Sequence, residues 1–330
     1  MSEMTPASLE AVPCPVCTRR EHRPFCALED RWCNPPHLTW TIVECRQCHL
    51  LLVSPRPTVR DLDLFYPSTY YDPPTPPDDW WVRQLACDRV ALVQRWHPTP
   101  GRLLEVGFGA GDLLVGLHQR GWEVWGVDPS VEAVRQTGAK LASVDHLKRA
   151  DLLAAGLPAN YFDVVVLWHS IEHLPDPRAV LQETARCLCS GGRVVIATPN
   201  GQTVQRRVFG RAWSAWRGIG APPRHLFFFS PRTLSRLAQS VGLSVLEVNQ
   251  RVDTLANFIA FKGSLLAWLG QFDYDTPQQP LPPSSPTSPR WQTSSRQFVQ
   301  TVFRSGCWMT STILAWCGSG DTMVLVARKP

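Results

Sequence analysis

The chain has 330 residues, 44% of them hydrophobic, and a formal net charge of +5. That length holds one large α/β domain plus a small module. No apolar run reaches the roughly 18 residues of a spanning helix, and Met1 to Pro15 has no charged segment followed by an apolar one. Neither a membrane span nor a signal peptide is expected, which points to the cytoplasm. Eleven cysteines in such a chain argue for reduced thiols and a metal site rather than a disulfide framework.

Residues 10–53 carry Cys14-Pro-Val-Cys17 and Cys45-Arg-Gln-Cys48, with 27 residues between them. Two such knuckles bring four thiolates into one tetrahedron, so a zinc-ribbon-like module is expected, with Cys14, Cys17, Cys45 and Cys48 on structural zinc. The long spacing requires a hairpin, with Leu38 to Glu44 as its second strand. Cys26, Cys33, His22, His37 and His49 are spare ligand candidates. A module this short has too little core to fold without a staple.

Residues 54–98 form a connector with proline pairs and aromatics (Phe65, Tyr66, Tyr70, Tyr71), expected over the active-site mouth. A helix from about Asp79 to Trp96 leads into a domain at 99–250. There the pattern alternates regularly. Strands are expected near 102–107, 123–128, 143–148, 163–168 and 192–198, with helices near 111–120, 130–138 and 177–189. Gly191-Gly192 is read as ending the last helix. A helix at 231–241 and a strand at 243–250 follow. An insertion at 251–320 contains two apolar pieces, Phe258 to Leu269 and Val302 to Trp316. They are joined by Thr276 to Arg290, a stretch with six prolines that reads as disordered. The last strand, within 321–330, is Met323 to Ala327.

Glu105-Val-Gly107-Phe108-Gly109-Ala-Gly111-Asp112 joins the first strand to its helix. Its glycines allow a sharp bend and the close approach of a ligand. A dinucleotide fingerprint, G-x-G-x-x-G, fails in both registers, because its third glycine falls on Asp112 or on Leu114. Glu105 in a buried parallel strand demands a cationic partner, which an α-amino group provides and a pyrophosphate does not. With Asp128-Pro129 ending the next strand, the set resembles the S-adenosylmethionine site of class I methyltransferases. Phe162-Asp163-Val-Val-Val-Leu-Trp168-His169-Ser-Ile-Glu172-His173-Leu-Pro-Asp-Pro177 resembles the fourth strand of the group containing ubiquinone-pathway O-methyltransferases and sugar C-methyltransferases. Arg224-His225-Leu-Phe-Phe-Phe-Ser230 and the end from Gly318 to Pro330 look like its later landmarks.

The resemblance implies a Rossmann-like seven-stranded sheet with flanking helices, and a cofactor held by named residues. Glu105 would orient the methionine amino group, and Gly107, Phe108, Gly109 and Gly111 would cradle its chain. Asp128, with Pro129 beside it, would take the ribose hydroxyls. Asp151 and Leu152 would read adenine, and Trp168 would form core or cofactor wall. His169, His173 and His225 are the candidate bases, with Glu172 orienting one imidazole. Each histidine has a structural alternative. His169-Ser-Ile-Glu172-His173 also matches the inverted zinc-protease motif, which needs both histidines on one helix face.

Between Gly201 and Ser240 lie seven arginines and no Asp, Glu or Lys. That suggests an acidic or phosphate-linked acceptor, a nucleic acid or anionic lipid, the alternative being a solvated helix face. Three functions follow: methyl transfer to a small molecule, sugar, glycan or lipid-linked acceptor; methylation of RNA; and cofactor binding without catalysis. The insertion reads as a lid, a dimer contact or a peripheral membrane contact at the inner face, with the oligomeric state open.

Overall fold

The computed structural model describes residues 8–30, 38–66, 80–141, 145–216, 220–250, 254–269 and 305–330. Cys33, His37, Tyr70, Tyr71 and the proline-rich stretch after Thr276 lie outside the described residues. The N-terminal part contains β1 (Leu9–Glu10), β2 (His22–Asp30), β3 (Leu38–Cys45), β4 (Leu51–Val53) and β5 (Arg56–Pro57). β2 and β3 form the expected hairpin, with His22 opposite Cys45 and Asp30 opposite Leu38.

The lead-in helix α1 (Trp80–Trp96) is followed by β6 (Arg102–Val106), α2 (Asp112–His118), β7 (Glu123–Val127), α3 (Val131–Leu141) and β8 (Leu147–Lys148). Then come β9 (Phe162–Trp168), α4 (Pro177–Cys187), β10 (Leu188–Pro199), α5 (Val204–Phe209), β11 (Phe227–Phe228), α6 (Pro231–Ser240) and β12 (Ser244–Asn249). The insertion supplies α7 (Thr254–Trp268) and α8 (305–316), and β13 (Thr322–Arg328) closes the chain.

Seven strands form one sheet in the order β12-β13-β10-β9-β6-β7-β8. The run from β8 to β10 is parallel, while β13 is antiparallel to both β10 and β12. Two apolar layers cover its faces. One contains Leu104, Val106, Val165, Leu167 and Ile196; the other contains Leu103, Val164, Val166, Val195 and α1 residues Val90 and Val93. Residues alternating along β9 therefore feed both layers, which is why it reads as a continuous Val/Leu run. Burying each such side chain contributes about 1.5–3 kcal/mol.

Two elements differ from the expectation. The third parallel strand is confined to Leu147–Lys148, so the expected span from 143 is not seen; residues 142–144 are outside the described set. Gly191-Gly192 does not terminate α4, which ends at Cys187. The glycines instead lie inside β10, where the register with β9 shifts between Leu188 and Arg193. A Cβ on Gly192 would meet three backbone carbonyl oxygens, the nearest at 2.9 Å, so glycine is used there for backbone proximity.

The cysteine module is welded to the large domain. β11 pairs with β4, setting Phe227 against Leu52 and Phe228 against Leu51. Arg178 of α4 donates to the carbonyls of Pro15 and Val16 in the first knuckle, at 2.9 and 2.8 Å. Arg224 makes a two-pronged, fully buried ion pair with Asp30 of β2, at 3.1 and 3.2 Å. Removing one partner of such a pair costs far more than the pair contributes, because a charge is left buried alone.

Candidate functional site

The direction of the chain reverses across the sheet between β6 and β9, so the loops after these two strands open a crevice at their C-terminal ends. The glycine turn after β6 lines one side. Gly111 has φ +70°, and a Cβ there would come within 2.3 Å of the Thr137 side chain, so only glycine fits. Gly109 has φ +50° and open space where its Cβ would stand, leaving room for a ligand against the backbone. Phe108, in contrast, turns into the core against Gly126, and the sequence assigned it to the cofactor.

Asp128 ends β7 and is 4% exposed. It accepts from the Gly109 amide at 3.0 Å and the Ser130 amide at 2.9 Å. Burial pushes its carboxyl up, and these two amides oppose that shift. They also fix the carboxylate against the glycine turn, where remaining lone pairs can accept from a diol. Each charge-assisted hydrogen bond of this kind is worth about 1.5–3 kcal/mol. Pro129 follows directly. Asp151 is exposed and accepts from the Ala154 amide at 2.9 Å, while Leu152 is packed into the core.

Glu105 is the most telling side chain. It is 3% exposed, and its Oε2 has no hydrogen-bond partner. Burial pushes its carboxyl up to about 8, against the pull of the Arg89 guanidinium. A buried carboxylate with an unmet oxygen is costly unless a ligand supplies the donor. Arg89, on α1, was missed by the sequence reading; its guanidinium lies 5.1 Å from the centre of the Trp168 ring. The available signal was an arginine beside Val90 and Val93, inside the apolar stripe of the lead-in helix.

The far side of the crevice is the segment after β9. Ser170 packs against Gly107, where an added Cβ would lie 3.0 Å from the serine Cβ, and its buried Oγ has no partner. His169 has φ +51°, an uncommon conformation for a residue with a side chain. Its Nδ1 lies 3.3 Å from Glu172 Oε1, to which it donates, leaving Nε2 chemically free to take a proton. Glu172 is fully buried, and burial opposes its charge. The His169 hydrogen bond and the nearby imidazoles outweigh this and hold the carboxyl near 2. Burial depresses His173, and burial together with His173 pushes His225 down to about 3, so both are neutral at physiological pH.

All four expected catalytic residues come together here. The rings of His173 and His225 are 4.7 Å apart, and His225 Nδ1 donates to the Ala215 carbonyl at 3.1 Å. The donor atoms of Glu172, His173 and His225 lie within 4.8 Å of one another and could hold a cation. Residues 169–173 form a turn rather than a helix, so the face required by the zinc-protease motif does not exist. Tyr66, from the connector, was not singled out as a site residue. Its hydroxyl lies 3.1 Å from His173 Nδ1 and 3.4 Å from the Arg224 carbonyl.

At the other end of the module, Cys14, Cys17, Cys45 and Cys48 come together, with their sulfurs within 4.8 Å of one another. The Cys14–Cys48 and Cys17–Cys45 pairs are each 3.4 Å apart. A disulfide needs about 2.05 Å, and four thiolates at 2.3 Å from a tetrahedral zinc stand about 3.8 Å apart. The cluster thus has the donors and nearly the spacing for zinc. The two knuckles match each other, since Thr18 and His49, each just after its Cys-x-x-Cys, both adopt positive φ. The hydrogen bond between them, with burial, pushes the Cys14 thiol up and holds the Cys48 thiol down. Of the spare ligands, His49 instead bonds Glu44 at 2.9 Å, and Cys26 is not part of the cluster.

The arginine-rich segment is not one uniform basic surface. Arg206 stacks over Phe25 and Trp216 and donates to the Gly201 carbonyl, and Arg224 is consumed by Asp30. Arg217 lies outside the described residues. Arg207, Arg211, Arg232 and Arg236 are exposed.

Residues 80–248 match a family described as "Methyltransferase domain". A ubiquinone biosynthesis O-methyltransferase from Idiomarina loihiensis is 30% identical over 159 residues, covering 45% of this chain and 63% of that protein. The same-named protein from Thiobacillus denitrificans is 31% identical over 185 residues, covering 51% and 79%. The match therefore spans less than two thirds of the first of these relatives. Among solved structures, a protein described as a "putative sarcosine dimethylglycine methyltransferase" from Galdieria sulphuraria aligns at 17% identity over 75% of this chain and 85% of its own, with a TM-score of 0.44.

Proposed function

From the premise that this chain belongs to the methyltransferase-domain family, we propose that it transfers a methyl group from S-adenosylmethionine to an oxygen or carbon of a small-molecule, sugar or lipid-linked acceptor. The observation that carries the reading is Glu105, a buried carboxylate with an unmet oxygen beside the glycine turn. An α-amino group is the donor it lacks. When bound, the cofactor supplies an electrophilic methyl group on a sulfonium, which departs as a neutral thioether.

The chain's own residues do the rest. Glu105 and the amides of the glycine turn hold the amino-acid end, and Asp128 holds the ribose. His169, oriented by Glu172, takes the acceptor proton at Nε2 as the new bond to carbon forms. The name of the ubiquinone-pathway relatives favours oxygen as the acceptor atom. Cys14, Cys17, Cys45 and Cys48 hold one structural zinc.

Incubation of the protein with methyl-labelled cofactor and host extract, followed by fractionation, tests the acceptor class. Label is expected in lipid or sugar fractions. Label confined to RNA, with steep salt dependence, would replace this reading by nucleic-acid methylation. Bound cofactor with no label in any fraction would leave a binding protein.

Glu105 also makes the binding step pH-dependent. Between its ordinary value of 4.5 and about 8, the folded cofactor-free protein carries a proton that the unfolded chain has lost. The stability contribution of this group therefore falls as pH rises through that window. Pairing with an ammonium reverses the preference and ionises the carboxyl. Calorimetry at neutral pH, in buffers of different ionisation enthalpy, is expected to report proton release on cofactor binding. Glu105→Gln should abolish that release. Binding without proton exchange by the wild-type protein would contradict the assignment.

A further inference from the structure

The segments after β9 and before β11 bring a second set of donors together beside His169. Glu172 is fully buried, and its two oxygens are used differently. Oε1 accepts from His169 Nδ1 at 3.3 Å, whereas Oε2 has no hydrogen-bond partner. The tautomers of the two neighbouring imidazoles follow from their contacts. His225 Nδ1 meets the Ala215 carbonyl at 3.1 Å, and a carbonyl only accepts, so Nδ1 carries the proton and Nε2 is the acceptor nitrogen. The Tyr66 hydroxyl donates its single proton to the Arg224 carbonyl and therefore accepts from His173 Nδ1. Nε2 is the acceptor nitrogen of that ring too.

Two imidazoles and a carboxylate thus bring lone pairs to one place, and a buried carboxylate oxygen without a donor is costly unless a cation meets it. One donor atom from each of Glu172, His173 and His225 lies within 4.8 Å of the other two. Donors about 2.1 Å from a tetrahedral ion stand about 3.4 Å apart, so the side chains need draw in by no more than about 1.4 Å. Both rings are also held as metal-bound histidines are. Nδ1 is tied to a backbone carbonyl, directly in His225 and through the Tyr66 hydroxyl in His173, which fixes tautomer and ring orientation. Arg224, whose charge reaches His173, is matched by the two-pronged pair with Asp30, so it does not exclude a second positive charge. Two imidazoles with one carboxylate suit divalent first-row transition metals better than calcium or magnesium, which take oxygen donors.

We propose that Glu172, His173 and His225 form a binding site for a divalent transition-metal cation. Three protein ligands leave at least one coordination position, which takes an oxygen of the acceptor beside His169; this last clause rests on the methyl-transfer reading. Titration of the full-length, zinc-loaded protein with manganese, followed by the paramagnetic resonance of the free ion, tests the site itself. Manganese binds most weakly of the series and does not displace zinc from four thiolates. One equivalent per chain is expected to bind, with the zinc content unchanged. His225→Gln should abolish this binding, and Tyr66→Phe, which removes only the hydroxyl that orients His173, should weaken it about 10–100-fold. Unchanged cofactor binding by calorimetry verifies that both variants are folded. Wild-type protein that leaves the manganese signal undiminished at millimolar ion would overturn the proposal. So would a folded His225→Gln or Tyr66→Phe protein that binds as tightly as wild type. Manganese bound one-to-one by a protein that transfers no methyl group would fault the functional reading and support the metal site.

Discussion

Replacing Cys14 and Cys45 together by serine is expected to remove one equivalent of zinc per chain and to unfold the N-terminal module. The two cysteines belong to opposite knuckles, so neither half of the tetrahedron survives. Structural zinc in small modules carries about 10 kcal/mol or more of apparent binding energy, comparable with the whole stability of an ordinary domain, about 5–15 kcal/mol. The damage should spread beyond the module. β4 pairs with β11, Asp30 neutralises Arg224, and both contacts hold the segment that carries His225. Metal analysis, thermal melting and cofactor calorimetry check this together. Stoichiometric zinc retained by the double variant would show that other residues are the ligands.

His169→Asn is expected to lower kcat by about 10²–10⁴, the usual contribution of a positioned base, with cofactor affinity unchanged. Asparagine is the appropriate replacement because it tolerates positive φ, so the strained turn at φ +51° persists while the proton acceptor is lost. Glu172→Gln should produce a smaller loss, since it weakens the orientation of the imidazole without removing it. Steady-state rates and calorimetry on the same samples separate the two effects. An His169→Asn enzyme of undiminished kcat would remove His169 as the base.

Much of the crevice was legible because it is local. A strand, a glycine turn and a helix are contiguous, and Asp128 falls 19 residues beyond Gly109, with which it bonds. The turn needs residues without a Cβ, and the strand end needs a carboxylate, so residue type and position are fixed together. Phe108 lies in the same turn, but its ring packs inward over Gly126 on the adjacent strand, a contact that only tertiary packing sets. The arginines between Gly201 and Ser240 read as one patch because composition counts charges and not their partners. Phe25 and Asp30, which with the segment's own Trp216 occupy two of them, come from elsewhere in the chain.

The sequence by itself determined the parallel βα core, the glycine turn with Glu105 and Asp128, and the two cysteine knuckles. In each case the constraint acts within one or two elements. Only the tertiary structure decided that Tyr66 reaches His173 across 107 positions and that Arg224 finds Asp30 across 194. It also decided that Arg89 lies over Trp168 and that β11 completes the sheet of the cysteine module. Such pairings leave no periodic trace. They arise because a buried polar group must meet a partner wherever packing brings one, and packing is settled by the whole chain.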